Sequence, residues 1–133
     1  MRTLRHEPSD AELEVLKTLW EMRRGTVREI GTALRRRKKR WAYTTVLTLL
    51  RRLLEKRLVR SDKRQAAHVF HPAVTQTELV RQRLQQIARS LCPNQPEVLV
   101  EAMLADQSPR QIAKLRATLK SAHKTRSKKK RRA

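Results

Sequence analysis

The chain has 133 residues, and only four of them are Phe, Trp or Tyr, so its core is expected to be aliphatic and mainly helical. Its net charge of +21, from 33 Lys and Arg against 12 Asp and Glu, indicates a polyanionic partner. One cysteine, two glycines and the lack of a long apolar stretch exclude a disulfide framework, glycine-rich nucleotide loops and a membrane span. We expect a cytoplasmic protein.

The positive charge is unevenly distributed along the chain. Residues 1–72 contain 19 basic and 8 acidic residues, and residues 120–133 contain 8 basic residues and no acidic one. Residues 73–119 are nearly balanced, with 6 basic and 4 acidic residues. This distribution assigns anion binding to the first half and the tail, and a different role to the segment between them.

Two capping boxes predict the first two helices. Ser9 with Glu12 and Thr26 with Glu29 have the spacing in which each side chain caps the other's backbone amide. The second helix should end near Arg36, inside the cationic run RRRKKR at 35–40. Such a run in the turn before a DNA-reading helix is expected to contact phosphates. The candidates are Arg37, Lys38, Lys39 and Arg40.

A third helix is predicted from about Tyr43 to Lys56, with one apolar and one polar face. The apolar face is expected in the core and consists of Val46, Leu49, Leu50 and Leu53. The other face carries short hydroxyls and guanidinium groups, which contact base edges and phosphates in protein–DNA complexes. Its candidates are Tyr43, Thr44, Thr45, Thr48, Arg51 and Arg52.

The hydrophobic period then changes towards two, which predicts strands at 58–62 and 67–71. Lys63 and Arg64 give the hairpin between them a basic tip, and Pro72 should close the second strand. Three helices followed by such a hairpin form a winged helix-turn-helix domain. The fold class is therefore mostly α with a small β-hairpin.

The remaining chain predicts a second, helical domain. A capping box at Thr75 and Glu78 opens a helix that stops at CPNQP, 92–96, and shorter helices follow at 98–104 and from Ser108. From residue 120 only charge remains, which predicts disorder. The expected organisation is a DNA-binding domain at 1–73, a helical domain at 74–119 and a basic tail at 120–133.

Several collinear segments resemble the penicillinase repressor family: SDAELEVLKTLWE at 9–21, VREI at 27–30, WAYTTVLTLLRRL at 41–53 and VFHP at 69–72. The resemblance implies a homodimer on a palindromic operator. It places Ala42, Tyr43, Thr44, Thr45 and Thr48 at the start of the recognition helix. It also implies that the hairpin is the wing of the fold and that Arg64 contacts the DNA backbone from it. The expected dimerisation residues are Leu79, Leu84, Ile87, Leu91, Val98, Leu99, Met103, Leu104, Ile112, Leu115 and Leu119.

The sequence departs from the family pattern at three places. Glu101 and Ala102 stand where beta-lactam-responsive members have a cleaved Asn-Phe bond, so cleavage there is not expected. A single cysteine cannot supply the motif of the copper-responsive members. Arg57 replaces the usual glycine after the recognition helix, which removes an easy left-handed helix end.

No catalytic constellation is present in the sequence. His68 and His71 should point to opposite faces of a strand without a third ligand, and Cys92 is expected to be a small apolar residue. We therefore expect no enzyme activity, cofactor, metal or small-molecule ligand, and a sequence-specific repressor of double-stranded DNA. The alternative is an architectural protein that coats DNA with little sequence preference. An RNA-binding protein is a weaker alternative because stacking aromatics are scarce.

Overall fold

The computed structural model describes residues 7–63 and 67–132, with side chains as far as residue 125. These residues form a helical protein with one two-stranded hairpin, as predicted. The elements are α1 (Asp10–Met22), α2 (Val27–Arg36), α3 (Tyr43–Glu55), β1 (Val59–Asp62), β2 (Val69–Pro72), α4 (Gln76–Leu91), α5 (Pro96–Leu104) and α6 (Pro109–Arg132).

Local capping sets the starts of four helices. At Ser9, Thr26, Thr75 and Ser108 the hydroxyl accepts from the amide three residues later, and the Glu or Gln there accepts from the capping residue's amide. These bonds satisfy amides that have no partner inside the helix. The hydrogen bonds from the Thr26 amide and hydroxyl also lower the pKa of Glu29.

The ends of α2 and α3 each contain a left-handed residue that is not glycine. After α3, Arg57 has a φ of 61°, its amide donates to Leu54, and the Leu58 amide donates to Leu53. After α2, Lys38 has a φ of 65° and the Lys39 amide donates to the carbonyl of Leu34 in the same way. Both ends are Schellman motifs, which here tolerate a side chain where glycine is preferred.

The core lies where α1, α2 and α3 pack on one another and on the hairpin. Aliphatic side chains from one face of each helix fill it, together with Phe70 from β2. Trp41, which leads into α3, is partly buried against this core. The fully enclosed members are Val15, Leu16, Leu19, Ile30, Leu34, Leu50, Leu53 and Leu58.

The hairpin is antiparallel, with Val59 opposite Pro72 and Asp62 opposite Val69. Phe70 also exchanges both backbone hydrogen bonds with Gly25, at 2.9 and 3.0 Å. The wing is therefore tied by its backbone to the turn between α1 and α2. This tie fixes the hairpin beside the helices.

The chain divides after Leu84 into two compact units. The predicted domain boundary at residue 73 lies eleven residues before this division, so residues 74–84 belong to the first unit. Leu79 on α4 is 4% exposed and joins the first core, where Val74 is also packed. The Trp20 indole N–H donates to the carbonyl of Val74 at 2.8 Å.

The end of the chain differs from the sequence-based expectation of disorder over 120–133. The α6 helix continues to Arg132, so the part of this segment that the structure describes is helical. Extending an existing helix needs no new nucleation, and Lys, Arg and Ala have high helix propensity. Over the described part of the chain, no helix is both long and apolar enough to cross a membrane.

Candidate nucleic-acid interface

The α3 helix presents its polar side to solvent and its apolar side to the core, as its periodicity predicts. Val46, Leu49, Leu50 and Leu53 are at most 5% exposed. The residues of the opposite side are all exposed: Tyr43, Thr44, Thr45, Thr48, Arg51 and Arg52, preceded by exposed Ala42. A surface of hydroxyls and guanidinium groups on one helix has the donors and acceptors to read the major groove.

The hydroxyl of Thr48 has a defined hydrogen bond within this surface. Its Oγ1 donates to the carbonyl of Thr44 at 2.9 Å. Since a hydroxyl has a single proton, the lone pairs of Thr48 Oγ1 remain available to accept a bond, and its methyl group remains available for apolar contact.

The cationic run before α3 divides into two parts in the structure. Arg37 is half-buried and paired with two carboxylates of α1: its Nη1 lies 2.8 Å from Glu21 Oε1 and its Nη2 lies 3.4 Å from Glu14 Oε2. Arg37 therefore joins the end of α2 to α1. The three cations that follow are exposed: Lys38, Lys39 and Arg40.

A cleft of about 760 Å³ separates α3 from the wing. Its floor includes Val27, Leu47, Leu54 and Phe70. Ala67 and a set of polar and cationic side chains complete its lining: Thr26, Arg28, Tyr43, Arg51, Ser61, Lys63 and His68. Lys63 thus lines this cleft, and its contact with DNA stays a prediction. Arg64, the other predicted wing residue, lies outside the described residues.

The family model described as penicillinase repressor matches residues 8–121 of the chain. The chain belongs to the penicillinase repressor family. It is accordingly a DNA-binding transcription regulator, and its family consists of regulators rather than enzymes. No curated protein matches the chain.

A solved structure of a transcriptional regulator shares the fold, and two further structures are similar to the chain. The regulator Tm0710 from Thermotoga maritima has a TM-score of 0.51 and 15% identity, covering 91% of this chain and 77% of that one. An E. coli MarR mutant complexed with operator DNA has a TM-score of 0.47 and 15% identity, covering 86% of this chain and 74% of that one. A S. aureus MepR mutant bound to an oligodeoxyribonucleotide has a TM-score of 0.49 and 16% identity, covering 88% of this chain and 78% of that one.

The dimerisation residues predicted for this repressor-family chain fall into two groups. Leu79 is buried in the core of the first unit, which leaves it no surface to offer a partner. The other ten are exposed or half-buried: Leu84, Ile87, Leu91, Val98, Leu99, Met103, Leu104, Ile112, Leu115 and Leu119. Leu91 and Leu119 are the most exposed, at 79% and 67%.

The structure also shows the surroundings of the family's cleavage position and of the histidines. Glu101 and Ala102 are exposed within α5, and the absence of cleavage there stays a prediction. His68 and Phe70 form a tilted ring pair with centroids 6.4 Å apart. Within the described residues, no group of three His, Cys, Asp or Glu side chains is placed to hold a metal ion.

Sequence reasoning did not include Arg28 in the candidate interface. Arg28 is exposed near the start of α2 and lines the cleft together with Arg51 and Lys63. Its position in the sequence is distant from both α3 and the wing, so only the packing of α2 against α3 brings these cations together. The available signal was its place in the first turn of the helix that precedes the recognition helix.

Proposed function

We propose that this chain is a homodimeric repressor that binds a palindromic operator and blocks transcription by occupying it. The observation that carries the proposal is the orientation of α3. Its threonine and arginine side faces solvent between an exposed basic turn and the wing, while its leucine side is enclosed. This arrangement supports insertion of α3 into a major groove, with the turn and the wing on the flanking phosphates.

The exposed groups of α3 suit direct base reading. Thr48 Oγ1 can accept from the amino group of adenine or cytosine, because its proton is already donated to Thr44. Its methyl group suits contact with a thymine methyl. Arg51 and Arg52 would bind phosphates or guanine from the same side of the helix.

The second unit supports the homodimer. Among its described side chains only Cys92 is buried, and α5 has no buried residue. Exposed aliphatic side chains on the end of α4, α5 and the start of α6 would therefore remain in contact with water in an isolated chain. A second copy of the same surface would bury them, as in obligate dimers with little monomer core.

Two recognition helices in such a dimer would read half-sites about one helical turn, roughly 34 Å, or a small multiple apart. Neutralising on the order of 8–10 phosphates gives a slope of roughly −7 to −9 for log affinity against log salt. Binding at a promoter would then exclude RNA polymerase from the same DNA.

Selection of bound sites from sheared genomic DNA, followed by affinity measurements, tests this function. Thr44→Ala plus Thr48→Ala should reduce preference for the selected site and leave salt-sensitive binding to mixed-sequence DNA unchanged. The control is Thr118→Ala on α6, where the hydroxyl, like that of Thr48, donates to the carbonyl four residues earlier. Equal loss on selected and mixed DNA would contradict base reading by α3.

The charge of +21 favours one other candidate, an architectural protein that coats DNA. Footprinting at a salt concentration that removes bulk binding separates the two. Protection of one palindrome supports the repressor, and uniform protection supports the coating protein.

A further inference from the structure

The α6 helix is the most strongly cationic element of the chain. Its 24 residues include eleven Lys and Arg and no Asp or Glu. The ion pairs found among the described side chains connect Lys17, Arg37 and Lys56 with glutamates of α1. They include none of the five α6 cations whose side chains are described: Arg110, Lys114, Arg116, Lys120 and Lys124. Because α6 contains no Asp or Glu, the helix carries a large net positive charge.

The helix changes character at Lys120. Before it, Ile112, Leu115 and Leu119 form an apolar stripe that suits packing against another helix. From Lys120 to Arg132 the sequence contains no large apolar residue, so this part has no stripe to bury. Its 13 residues would extend about 20 Å at 1.5 Å per residue.

Like charges recur one turn apart at the point where the stripe ends. Arg116, Lys120 and Lys124 follow one another at intervals of four residues and are all exposed. Such pairs repel and destabilise a helix. A nearby polyanion would convert the repulsion into a favourable interaction.

We propose that residues 120–132 form a cationic arm that binds the DNA phosphate backbone, without sequence preference, in addition to the α3 and wing surface. The inference rests on the proposed function for the identity of the polyanion. Duplex DNA carries one negative charge per about 1.7 Å of axis when both strands are counted, so a length of about 20 Å of duplex holds on the order of twelve phosphates, some of which face an arm on one side. An anionic membrane fits less well, because this segment lacks the apolar face with which an amphipathic helix adds burial to its electrostatic attraction.

The test uses the full chain with all eight Lys and Arg of this segment changed to Gln. The residues changed are Lys120, Lys124, Arg126, Lys128, Lys129, Lys130, Arg131 and Arg132. The matched control keeps the composition and the charge of residues 120–133 but permutes their order. Binding is measured against salt concentration with a mixed-sequence duplex of about 40 base pairs and with vesicles containing phosphatidylglycerol.

If about two of the eight charges in each chain contact phosphates, the Gln variant should show a salt slope shallower by about 2 per chain, which is a part of the total of roughly −7 to −9 for the dimer. The permuted chain should match the wild type, because the contact depends on charge rather than on order. Equal slopes for the Gln variant and the wild type would overturn the proposal. Tail-dependent binding to vesicles without an effect on DNA would also overturn it.

The two proposals fail in different ways in this experiment. If the Gln variant keeps its preference for a selected site but its salt slope is unchanged, only the arm is contradicted. If neither chain prefers any site while the slopes differ as expected, the arm stands and the operator-binding function is contradicted.

Discussion

Arg37 and Lys39 lie two residues apart in the same cationic run but have different surroundings. Arg37 contacts Glu14 and Glu21, whereas Lys39 is exposed, and its amide completes the end of α2. A guanidinium already paired with two carboxylates has less positive potential to offer a phosphate. The two residues therefore provide a matched comparison between folding and DNA binding.

We predict that Lys39→Gln makes the salt slope shallower by about 0.9 per chain without changing thermal stability. Arg37→Gln should leave the slope unchanged and lower stability by up to about 1 kcal/mol, because its ion pairs are partly exposed. Salt titrations and urea unfolding of both variants measure the two effects. The opposite assignment of effects would show that Arg37 leaves its carboxylates to contact DNA.

Glu12 and Lys56 connect the start of α1 with the end of α3 through a nearly buried ion pair. Lys56 Nζ lies 2.6 Å from Glu12 Oε2, and the Glu12 side chain is 3% exposed. Burial acts to raise the pKa of Glu12, but hydrogen bonds from Lys56 and Ser9 and the charge of Lys56 outweigh it and lower the pKa. The ion pair therefore stabilises the folded chain fully at pH values above 4.5, the ordinary pKa of a glutamate. This stabilisation is lost as the pH falls through the lower pKa that Glu12 has in the folded chain.

We predict that Lys56→Met costs about 2 kcal/mol at pH 7, somewhat less than a fully buried pair, and that the difference from wild type shrinks as Glu12 becomes protonated at acid pH. Urea unfolding at pH 7 and at several values below 4.5 measures this. Lys17→Met is the control, because Lys17 lies 3.6 Å from Glu14 at an exposed position and should contribute little. A cost that is independent of pH would contradict the pairing.

At the scale of an element, the end of α3 carries a strained residue. Arg57 is exposed and adopts a φ of 61° where glycine has no steric penalty. We predict that Arg57→Gly stabilises the chain by about 1 kcal/mol, measured by thermal or urea unfolding. Arg60→Gly in β1 should destabilise it instead, since glycine weakens a strand. Destabilisation by Arg57→Gly would show that the arginine side chain contributes more than its backbone strain costs.

Elements governed by nearby residues could be predicted from the sequence. The Ser9, Thr26, Thr75 and Ser108 boxes use partners three residues away, and all four helices begin there. The two faces of α3 followed from periodicity alone. The burial of Leu79 and the place of Arg28 in the cleft depend on contacts between distant elements, so no local pattern revealed them. The pairing of Arg37 with α1 has the same cause.

At the scale of the whole molecule, the proposed function needs a second chain. Leu91 is 79% exposed on α4, so we predict that Leu91→Asp shifts the dimer to monomer in sedimentation equilibrium and abolishes cooperative operator binding. Ser90→Asp adds the same charge at the neighbouring exposed position and should leave the dimer intact. A dimer that persists unchanged in the Leu91 variant would place the interface elsewhere.

The central claim is that the solvent-facing side of α3 enters the major groove of an operator. Dimethyl sulfate probing of guanine N7 on a selected site measures this directly, because N7 lies in that groove. We predict two protected patches about one helical turn or a small multiple apart, both lost with Thr44→Ala plus Thr48→Ala. Uniform reactivity at all guanines while the protein is bound would contradict the claim.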